Sequence, residues 1–384
     1  MNSYVLSMMN KQEFVEYYWQ KKPLVIRQAF QNFVDPIDQH ELAGLAQEAD
    51  IDSRIITNHQ SRWTVSHGPF EDFSPHCVGA WTLLVQAVDC YSEQAKALLD
   101  SFDFIPKWRV DDLMVSFSTA GAGVGPHLDQ YDVFIVQGTG SRRWQVGEKK
   151  DYKTIVPTKD LKQTEPFEPI IDEVLLPGDM IYIPPGFPHN GVALEECLNY
   201  SIGFRAPTQR ELLCALADYA QDFELFETRY SDPNLQLRDN QFEINLHEKQ
   251  QFKELLLQMI NSSQFDDFIG HFLSEPVSSG EYDAEFEENY STETVANMLA
   301  EGTQFVAQSD AQIVQSKVKL GDKYQYVTWI NQHKLIVNDR DIDDFNEMLT
   351  APLLDKNQKI YHQNGLFFVQ TLSRLISTGG FIPV

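Results

Sequence analysis

The feature that most constrains the fold of this chain is a stretch from residue 108 to residue 205, in which short β-forming runs alternate with glycine and proline turns. The runs are Asp112–Ser118, Tyr131–Gln137, Ser141–Val146, Glu173–Leu176, Asp179–Ile183 and Leu198–Phe204. The turn signals between them are GAGVG at 121–125, GTG at 138–140, PGD at 177–179 and PPG at 184–186. Many short strands separated by tight turns predict a β-sandwich or a β-barrel.

Helical patterns flank this predicted barrel on both sides. Before it, the spacing of apolar residues predicts helices at 11–20, 36–50 and 81–100, with a short strand after Pro23. After Pro207 the pattern becomes helical again, and residues 317–384 mix short strands with helices. We therefore expect an α+β protein of four segments, which are an N-terminal extension packed on the barrel (1–107), the barrel core (108–206), a helical region (207–280) and a C-terminal module (281–384).

The charge balance limits the partners that the chain can have. It contains 30 Lys and Arg residues against 56 Asp and Glu residues, which gives a net charge of −26. Such a surface repels phosphate backbones and attracts basic proteins, so we expect a basic protein partner and no direct contact with nucleic acid. The sequence has no apolar run long enough to span a membrane. Its first residues lack a basic start followed by a long apolar core, so we expect no signal peptide. Four scattered cysteines without a C-x-x-C pair predict free thiols in a reducing cytoplasm.

The chemistry of the chain is concentrated in two motifs, GPHLDQYDVFIVQG and GDMIYIPPGFPHNG. The first contains His127-x-Asp129 and the second contains His189. Two imidazoles and one carboxylate form the facial triad that binds non-haem Fe(II) and leaves coordination positions open. Residues i and i+2 of an extended strand point the same way, so His127 and Asp129 can face one cavity, and a barrel can bring the third ligand from a distant strand.

Taken alone, each histidine has an ordinary structural explanation. An H-x-D pattern arises by chance in an Asp-rich chain, and His127 on its own could be a loop residue. His189 on its own could be a turn residue after two prolines. The context favours a metal site, because His127 lies between a glycine-rich turn and a strongly apolar strand, while His189 follows Gly178-Asp179, an apolar strand and Pro184-Pro185-Gly186.

Together these motifs resemble those of a known family. The pattern G-D-x-x-Y-I-P-P-G-x-x-H at 178–189 is similar to the second-half signature of cupin barrels, and H-x-D opens the metal site of JmjC-type oxygenases. The segment YWQKKPLVIR at 18–27 is similar to the sequence that precedes JmjC domains. The stretch from DDLMVSFS to GVGPHLDQYDVFIVQGTGSRRWQVGEK looks like the bacterial ribosomal oxygenases. No metal-ligand position departs from the family pattern.

This resemblance implies a double-stranded β-helix of the cupin (jelly-roll, JmjC) type, with Fe(II), O2 and the co-substrate 2-oxoglutarate. It implies hydroxylation of an arginine in a large-subunit ribosomal protein. By layout rather than by motif, it also implies dimerisation helices in 207–280, a homodimer, and a winged-helix-like C-terminal module. Residues 301–384 hold eight Lys and Arg against nine Asp and Glu, so we expect this module to contact protein.

A bound 2-oxoglutarate needs a cation for its distal carboxylate, preferably a planar guanidinium. Arg142 and Arg143 stand on one predicted strand, and alternation places Arg142 on the same face as Trp144, which is the better core face. We therefore predict Arg142 as the anchor, although a solvated pair of surface arginines would also fit the pattern. Hydroxyl and amide groups that could hydrogen-bond a carboxylate of the co-substrate are those of Ser116, Ser118, Asn199 and Ser201.

Contacts with the substrate protein are predicted at Gln130, Tyr131 and Asp132, which follow the metal motif at the expected cavity mouth. An incoming arginine needs a carboxylate partner, and Asp132 is the choice that the sequence offers. The alternative is that Asp132 is a turn residue.

Three other functional classes stay open at this point. One is a cupin metalloenzyme without 2-oxoglutarate, which would not need a fixed cation such as Arg142. A second is demethylation, or hydroxylation of another basic protein, because the same iron chemistry serves both. A third is a non-catalytic scaffold, which would have no need of three converging ligands.

Overall fold

The computed structural model describes residues 4–7, 10–59, 62–276, 290–308, 310–321 and 323–384. The chain forms two compact units, and the boundary between them falls between Ala206 and Pro207. The first unit contains the whole predicted barrel. The division into four segments stays a prediction.

The first unit is a β-structure with three short helices. Its strands are β1 (Leu24–Ile26), β2 (Ser53–His59), β3 (Arg62–His67), β4 (Ala80–Val85), β5 (Val110–Ser118), β6 (Asp132–Gln137), β7 (Arg142–Gly147), β8 (Thr154–Thr158), β9 (Leu161–Thr164), β10 (Pro169–Leu175), β11 (Met180–Ile183), β12 (His189–Ala193) and β13 (Cys197–Phe204). Its helices are α1 (Lys11–Tyr17), α2 (Gln39–Leu45) and α3 (Glu93–Asp100), with 3₁₀ turns at Val88–Cys90 and Lys107–Arg109.

Two antiparallel sheets form the barrel. The larger sheet has eight strands in the order β1-β11-β6-β13-β5-β4-β2-β3, and the smaller has three in the order β10-β7-β12. A small hairpin, β8-β9, is separate. Side chains from both sheets meet in one buried cluster, which includes Ile135 and Ile181 of the larger sheet and Trp144 and Val146 of the smaller. The space between the two sheets is therefore the interior of the barrel.

The outer face of the larger sheet is covered by the N-terminal segment. Phe14 of α1 lies 4.9 Å from Tyr182 of β11, measured between ring centroids, and is fully buried. Leu42 of α2 and Leu98 of α3 belong to the same buried cluster. Because both of its faces are covered, β6 is a continuous buried run, which is the pattern expected of a strand enclosed on two sides.

The predicted helix at 81–100 is only half correct. Its first part is β4, which lies between β2 and β5 in the larger sheet, and only Glu93–Asp100 is helical. Leu83, Leu84 and Val85 are all buried, so this apolar run belongs to a strand covered on both faces, which periodicity alone cannot distinguish from a helix. Ala87 then adopts a φ of 50°, which ends the extended chain. The other two helices are shorter than predicted, and the β2-β3 hairpin lies in a stretch where no strand was expected.

The second unit combines helices with two small sheets. Its helices are α4 (Gln209–Asp222), α5 (Leu246–Ile260), α6 (Ser263–Leu273), α7 (Thr292–Glu301), α8 (Ile342–Thr350), α9 (Lys359–Gln363) and α10 (Gly365–Ser377). Its strands are β14 (Phe305–Ala307), β15 (Ile313–Leu320), β16 (Lys323–Ile330), β17 (His333–Asn338), β18 (Leu353–Leu354) and β19 (Phe381–Pro383), and they form the sheets β15-β16-β17 and β18-β14-β19. A separate hydrophobic core, which includes Phe305, Phe345 and Phe368, holds together the part of this unit that begins with α7.

The winged-helix-like character of this unit and its role in dimerisation stay predictions. None of the described helices has both the length and the apolar character needed to cross a membrane.

Candidate metal centre

The two histidines of the sequence motifs are joined through their backbones. His127 lies between β5 and β6, and His189 is the first residue of β12. Each donates its backbone N–H to the carbonyl oxygen of the other, at 3.0 Å from His127 and 2.9 Å from His189. This single antiparallel bridge places their imidazole centroids 4.2 Å apart. The pairing differs from the expected regular strand through 127–129, because His127 makes only this isolated bridge.

Both imidazoles point their Nε2 atom toward Asp129. The Nδ1 atom of His127 lies 2.9 Å from the carbonyl oxygen of Gly125, and that of His189 lies 3.1 Å from the carbonyl oxygen of Phe187. A carbonyl can only accept, so each Nδ1 carries the proton and donates it, which leaves both Nε2 atoms with free lone pairs. These Nε2 atoms lie 3.9 Å (His127) and 3.4 Å (His189) from Oδ2 of Asp129.

The electrostatics keep His127 and Asp129 in their ligand forms at neutral pH. Burial, reinforced by the neighbouring His189, lowers the pKa of His127 to about 4, so its imidazole is neutral. Burial alone would raise the pKa of Asp129, but the neighbouring groups, led by His189 with its Nε2 atom 3.4 Å away, lower it to about 2, so Asp129 is a carboxylate. Metal ions bind neutral imidazole and ionised carboxylate.

The donor set fits a divalent transition metal. One ligand atom from each of His127, Asp129 and His189 lies within 4.8 Å of the others, and no second group of this kind occurs among the described residues. Two nitrogens and one oxygen on one side of an ion suit Fe(II) and leave positions for other ligands. The structure thus brings together the three residues that the motifs singled out.

Arg142 lies in the barrel interior and has no anionic partner among the described residues. It is 5% exposed and donates from Nη2 to Oγ of Ser118 at 2.5 Å, while its Nε is buried without a hydrogen-bond partner. Burial lowers the pKa of the Arg142 guanidinium. By contrast, Arg143 points outward and pairs with Asp172 through two hydrogen bonds of 2.6 and 2.5 Å. Arg142 and Arg143 therefore point to opposite faces of β7, as the alternation of side chains along a strand predicts.

The surroundings of Arg142 are suited to a small carboxylate ligand. The Arg142 guanidinium carbon lies 5.6 Å from the centre of the Trp144 ring, whose Nε1 is also buried without a partner. Two unpaired donors side by side in a buried site are costly unless a ligand accepts from them. A dicarboxylate with one carboxylate beside Arg142 and Trp144 would accept hydrogen bonds from both unpaired donors.

The predicted hydroxyl and amide groups all lie on the inner face of the larger sheet. Ser116 and Ser118 alternate with the outward-facing Val115 on β5, and Asn199 lies directly opposite Ser116. Ser201 lies opposite Met114 in the same way. Ser118 contacts Arg142, whereas the side-chain nitrogen of Asn199 already donates to Gln137 at 2.8 Å.

Of the predicted substrate contacts, Gln130 and Tyr131 are exposed beside the metal centre, and Asp132 is not. Asp132 is fully buried, and its carboxylate accepts from Tyr182 at 2.6 Å, from Gln20 at 2.8 Å and from Arg109 at 3.2 Å. This placement contradicts the prediction that Asp132 meets an incoming arginine. Asp132 and Phe134 lie on the same face of β6, and Phe134 packs in the core on the outer side of the larger sheet. The alternation of side chains along this strand could therefore have predicted that Asp132 points away from the barrel interior.

The structure adds three charged residues near Tyr131 that the sequence analysis did not name. A Cβ atom placed on Gly203 would lie 3.7 Å from Oδ1 of Asp112, 3.8 Å from Cβ of Asp111 and 3.9 Å from the Tyr131 ring, so these residues border one space. Burial, with the neighbouring carboxylates, raises the pKa of Asp112 to about 7. The third residue, Arg54 of β2, comes from far earlier in the chain and interacts electrostatically with Tyr131 and Asp129.

Comparisons with known proteins agree with this geometry. The JmjC domain family matches residues 97–212. The chain is 51% identical over 268 residues to the ribosomal protein uL16 3-hydroxylase of Escherichia coli (strain K12), which covers 70% of this chain and 72% of that protein. It is 34% identical over 316 residues to a probable ribosomal oxygenase of Haemophilus influenzae, which covers 77% of this chain and 76% of that protein.

Solved structures extend the similarity to the whole chain. The structure of YcfD, a ribosomal oxygenase from Escherichia coli, in complex with cobalt and 2-oxoglutarate has a TM-score of 0.82 and 40% identity, over 99% of each chain. A second structure of the E. coli protein has a TM-score of 0.85 and 41% identity over the full length of both chains. These matches confirm the predicted cupin barrel with its flanking helices.

Proposed function

Because this chain belongs to the ribosomal oxygenases, a family of JmjC-domain proteins, we propose that it is an Fe(II)- and 2-oxoglutarate-dependent oxygenase that hydroxylates a ribosomal protein. The observation that carries the proposal is the combination of two features inside one barrel. The His127–Asp129–His189 group supplies a facial set of metal ligands, and Arg142 supplies a buried cation without an anion. The metal and the co-substrate thus each have residues that would bind them.

The residues of the chain have separate tasks in this reaction. The Nε2 atoms of His127 and His189 and the carboxylate of Asp129 would hold the metal, while the hydrogen bonds from their Nδ1 atoms fix the imidazole orientation. When bound, Fe(II) with 2-oxoglutarate and O2 supplies the oxidising power for hydroxylating a C–H bond. Arg142, which donates to Ser118, would hold the distal carboxylate of 2-oxoglutarate together with that serine.

The barrel interior keeps water away from this chemistry. Ile135, Ile181, Trp144 and Phe187 belong to one buried cluster, which packs Trp144 at a ring-centroid distance of 6.1 Å from His189. A dry cavity protects reactive species from side reactions and strengthens the electrostatic contacts to the co-substrate. Arg142 also argues against a cupin metalloenzyme without co-substrate, which would leave this buried cation unexplained.

We propose further that the hydroxylated residue is an arginine of a large-subunit ribosomal protein. Asp111 and Asp112 lie next to Tyr131 around Gly203. A substrate guanidinium at this position would find carboxylate acceptors, in competition with Arg205, whose Nε lies 3.5 Å from Oδ1 of Asp111. The net charge of −26 favours encounter with very basic ribosomal proteins. Demethylation, the alternative, has no separate observation in its favour.

We also propose that the protein acts as a homodimer in the cytoplasm, where ribosomal proteins are made. Helices α4 and α5 expose several large apolar side chains, as expected of helices that pair with a second copy, and these include Leu213, Phe252, Leu256 and Leu257. Light scattering at several protein concentrations tests the dimer, and a monomer at all of them would contradict it.

The proposed activity is tested by incubating the Fe(II)-loaded protein with 2-oxoglutarate and purified large-subunit proteins. We expect succinate to form and one ribosomal protein to gain the mass of one oxygen atom on an arginine. His127→Ala should abolish both products, while His67→Ala, which changes a surface histidine of β3, should not. Succinate formation without any modified ribosomal protein would contradict the assigned substrate, and no turnover of 2-oxoglutarate would contradict the proposed class.

A further inference from the structure

The segment that leads into His127 has no regular secondary structure, so neighbouring elements must hold it in place. It runs from Ala122 to His127, between β5 and β6. At its start Ala193 of β12 donates its backbone N–H to the carbonyl oxygen of Ala122 at 2.9 Å, and at its end His127 makes the bridge to His189. Strand β12 therefore holds the two ends of this segment, which we call the ligand loop.

The middle of the ligand loop is held by β9, the second strand of the small hairpin. The side-chain Nε2 atom of Gln163 donates to the carbonyl oxygen of Val124 at 2.9 Å, and the backbone N–H of Thr164 donates to that of Pro126 at 2.9 Å. Because a carbonyl oxygen only accepts, the Gln163 amide must present its nitrogen here. Gln163 is 8% exposed, so water competes little for this hydrogen bond.

These two hydrogen bonds lie on either side of Gly125, the residue that orients the His127 imidazole. The carbonyl oxygen of Gly125 accepts from Nδ1 of His127 at 2.9 Å. A Cβ atom on Gly125 would collide with Nε2 of Gln163, so the Gln163 amide packs directly against the Gly125 backbone. A shift of this amide would therefore displace the carbonyl that fixes the orientation of His127.

The two histidine ligands differ in how their acceptors are anchored. Nδ1 of His189 donates to the carbonyl oxygen of Phe187, whose side chain packs in the buried cluster inside the barrel. Gly125 has no side chain that could anchor its carbonyl in the same way, and its φ of 82° is one that other residues rarely adopt. The orientation of His127 thus depends on contacts made by the neighbours of Gly125, and Gln163 makes one of them.

We propose that Gln163 is a positioning residue for the metal centre, which holds the Gly125 carbonyl in place and through it keeps Nε2 of His127 directed at the metal. This inference rests on the proposed function, because it takes His127 as a metal ligand. Residues that hydrogen-bond a metal-bound histidine directly change metal affinity by roughly 10–100-fold when they are replaced. Gln163 acts through the backbone, one step further out, so we expect a smaller change of about threefold to thirtyfold.

Gln163→Met tests this role, because methionine keeps the length of the side chain and removes the donor. We expect the dissociation constant of the metal-free protein for Mn(II) to rise by about threefold to thirtyfold. We also expect the visible absorption spectrum of the Co(II)-loaded protein to change, since that spectrum reports the arrangement of ligands around cobalt. Lys162→Met is the matched control, because Lys162 precedes Gln163 on β9 and its side chain is exposed, so both measurements should stay unaltered.

Gln163→Glu separates the hydrogen bond from the packing, because glutamate has the shape of glutamine and donates only when its carboxyl group is protonated. We expect the Mn(II) dissociation constant of this variant, divided by that of the unchanged protein at the same pH, to rise between about pH 6 and pH 8.5. For Gln163→Met the same ratio should not depend on pH, since methionine does not titrate. If Gln163→Met does not fold, the pH profile of Gln163→Glu decides.

The affinities are measured by calorimetric titration of each metal-free protein with Mn(II), and the melting temperature is recorded alongside. Equal Mn(II) dissociation constants in Gln163→Met and the unchanged protein would overturn the proposal, even if the melting temperature falls, because Gln163 would then only stabilise the fold. An equal rise in Lys162→Met, or a ratio of one at every pH for Gln163→Glu, would overturn it as well. If the unchanged protein itself binds no Mn(II), the proposed function fails at its metal centre, whatever Gln163 does.

Discussion

Replacing Arg142 by methionine should disable the binding of 2-oxoglutarate while leaving the fold intact. The guanidinium is buried and hydrogen-bonded to Ser118, and it has no other hydrogen-bond or ion-pair partner in the part of the chain that the structure describes. It is therefore available to pair with the distal carboxylate of the co-substrate. Removing one partner of a buried, hydrogen-bonded charge pair costs about 2–5 kcal/mol, which raises the dissociation constant by roughly one and a half to three and a half powers of ten.

Arg142→Met should leave the stability of the ligand-free protein almost unchanged or increase it. In the ligand-free protein Arg142 is a desolvated cation that no described carboxylate compensates, and burial already lowers its pKa. Replacing such a charge by an apolar side chain of similar length is neutral or stabilising in many proteins. We therefore expect the melting temperature of Arg142→Met to equal or exceed that of the unchanged protein.

The assay measures succinate formation as a function of 2-oxoglutarate concentration, with calorimetric binding of 2-oxoglutarate to the Mn(II)-loaded protein as a second readout. Arg143→Met is the matched control, because Arg143 stands on the same strand, points outward and pairs with Asp172. An unchanged KM for 2-oxoglutarate in Arg142→Met, or an equal rise in Arg143→Met, would refute the reasoning.

Three further changes test other parts of the site. Asp132→Asn should destabilise the protein by about 2–4 kcal/mol in urea unfolding, because a buried carboxylate with three donors loses its charge, and unchanged stability would show that these contacts are weak. Gly191→Ala should raise the KM for 2-oxoglutarate, since its Cβ would lie 2.7–2.9 Å from atoms of the Trp144 ring and displace that ring, which borders Arg142; a normal KM would mean that the position of the ring does not affect co-substrate binding. The KM for an arginine peptide should fall as the pH rises from 6 to 8, because the pKa of Asp112 is raised to about 7 and only its ionised form attracts a guanidinium; persistence of this pH dependence in Asp112→Asn would assign it to another group.

The grouping of His127, Asp129 and His189 and the inward orientation of Arg142 could be predicted because their signals are local. His127 and Asp129 are separated by one residue, and His189 closes a motif of twelve residues, so no long-range pairing had to be known. The orientation of Arg142 followed from alternation along one strand. The same rule applied to Asp132 would have placed it beside Phe134, on the outer face.

The features that escaped prediction depend on pairing between distant strands. Arg54 enters the barrel only because β2 pairs with β4 and β4 pairs with β5, and nothing in the sequence around it indicates that register. The same pairing buries both faces of β4, which gave Leu83 and Leu84 the spacing of a helix. The closeness of Asp111 and Asp112 to Tyr131 and Gly203 likewise depends on the fold.

X-ray absorption of the Fe(II)-loaded protein under anaerobic conditions shows whether His127, Asp129 and His189 bind one iron ion. We predict a first shell of nitrogen and oxygen donors with two imidazole ligands, and the loss of one imidazole in His127→Ala and in His189→Ala. A spectrum without imidazole scattering, or one that neither substitution changes, would contradict the account.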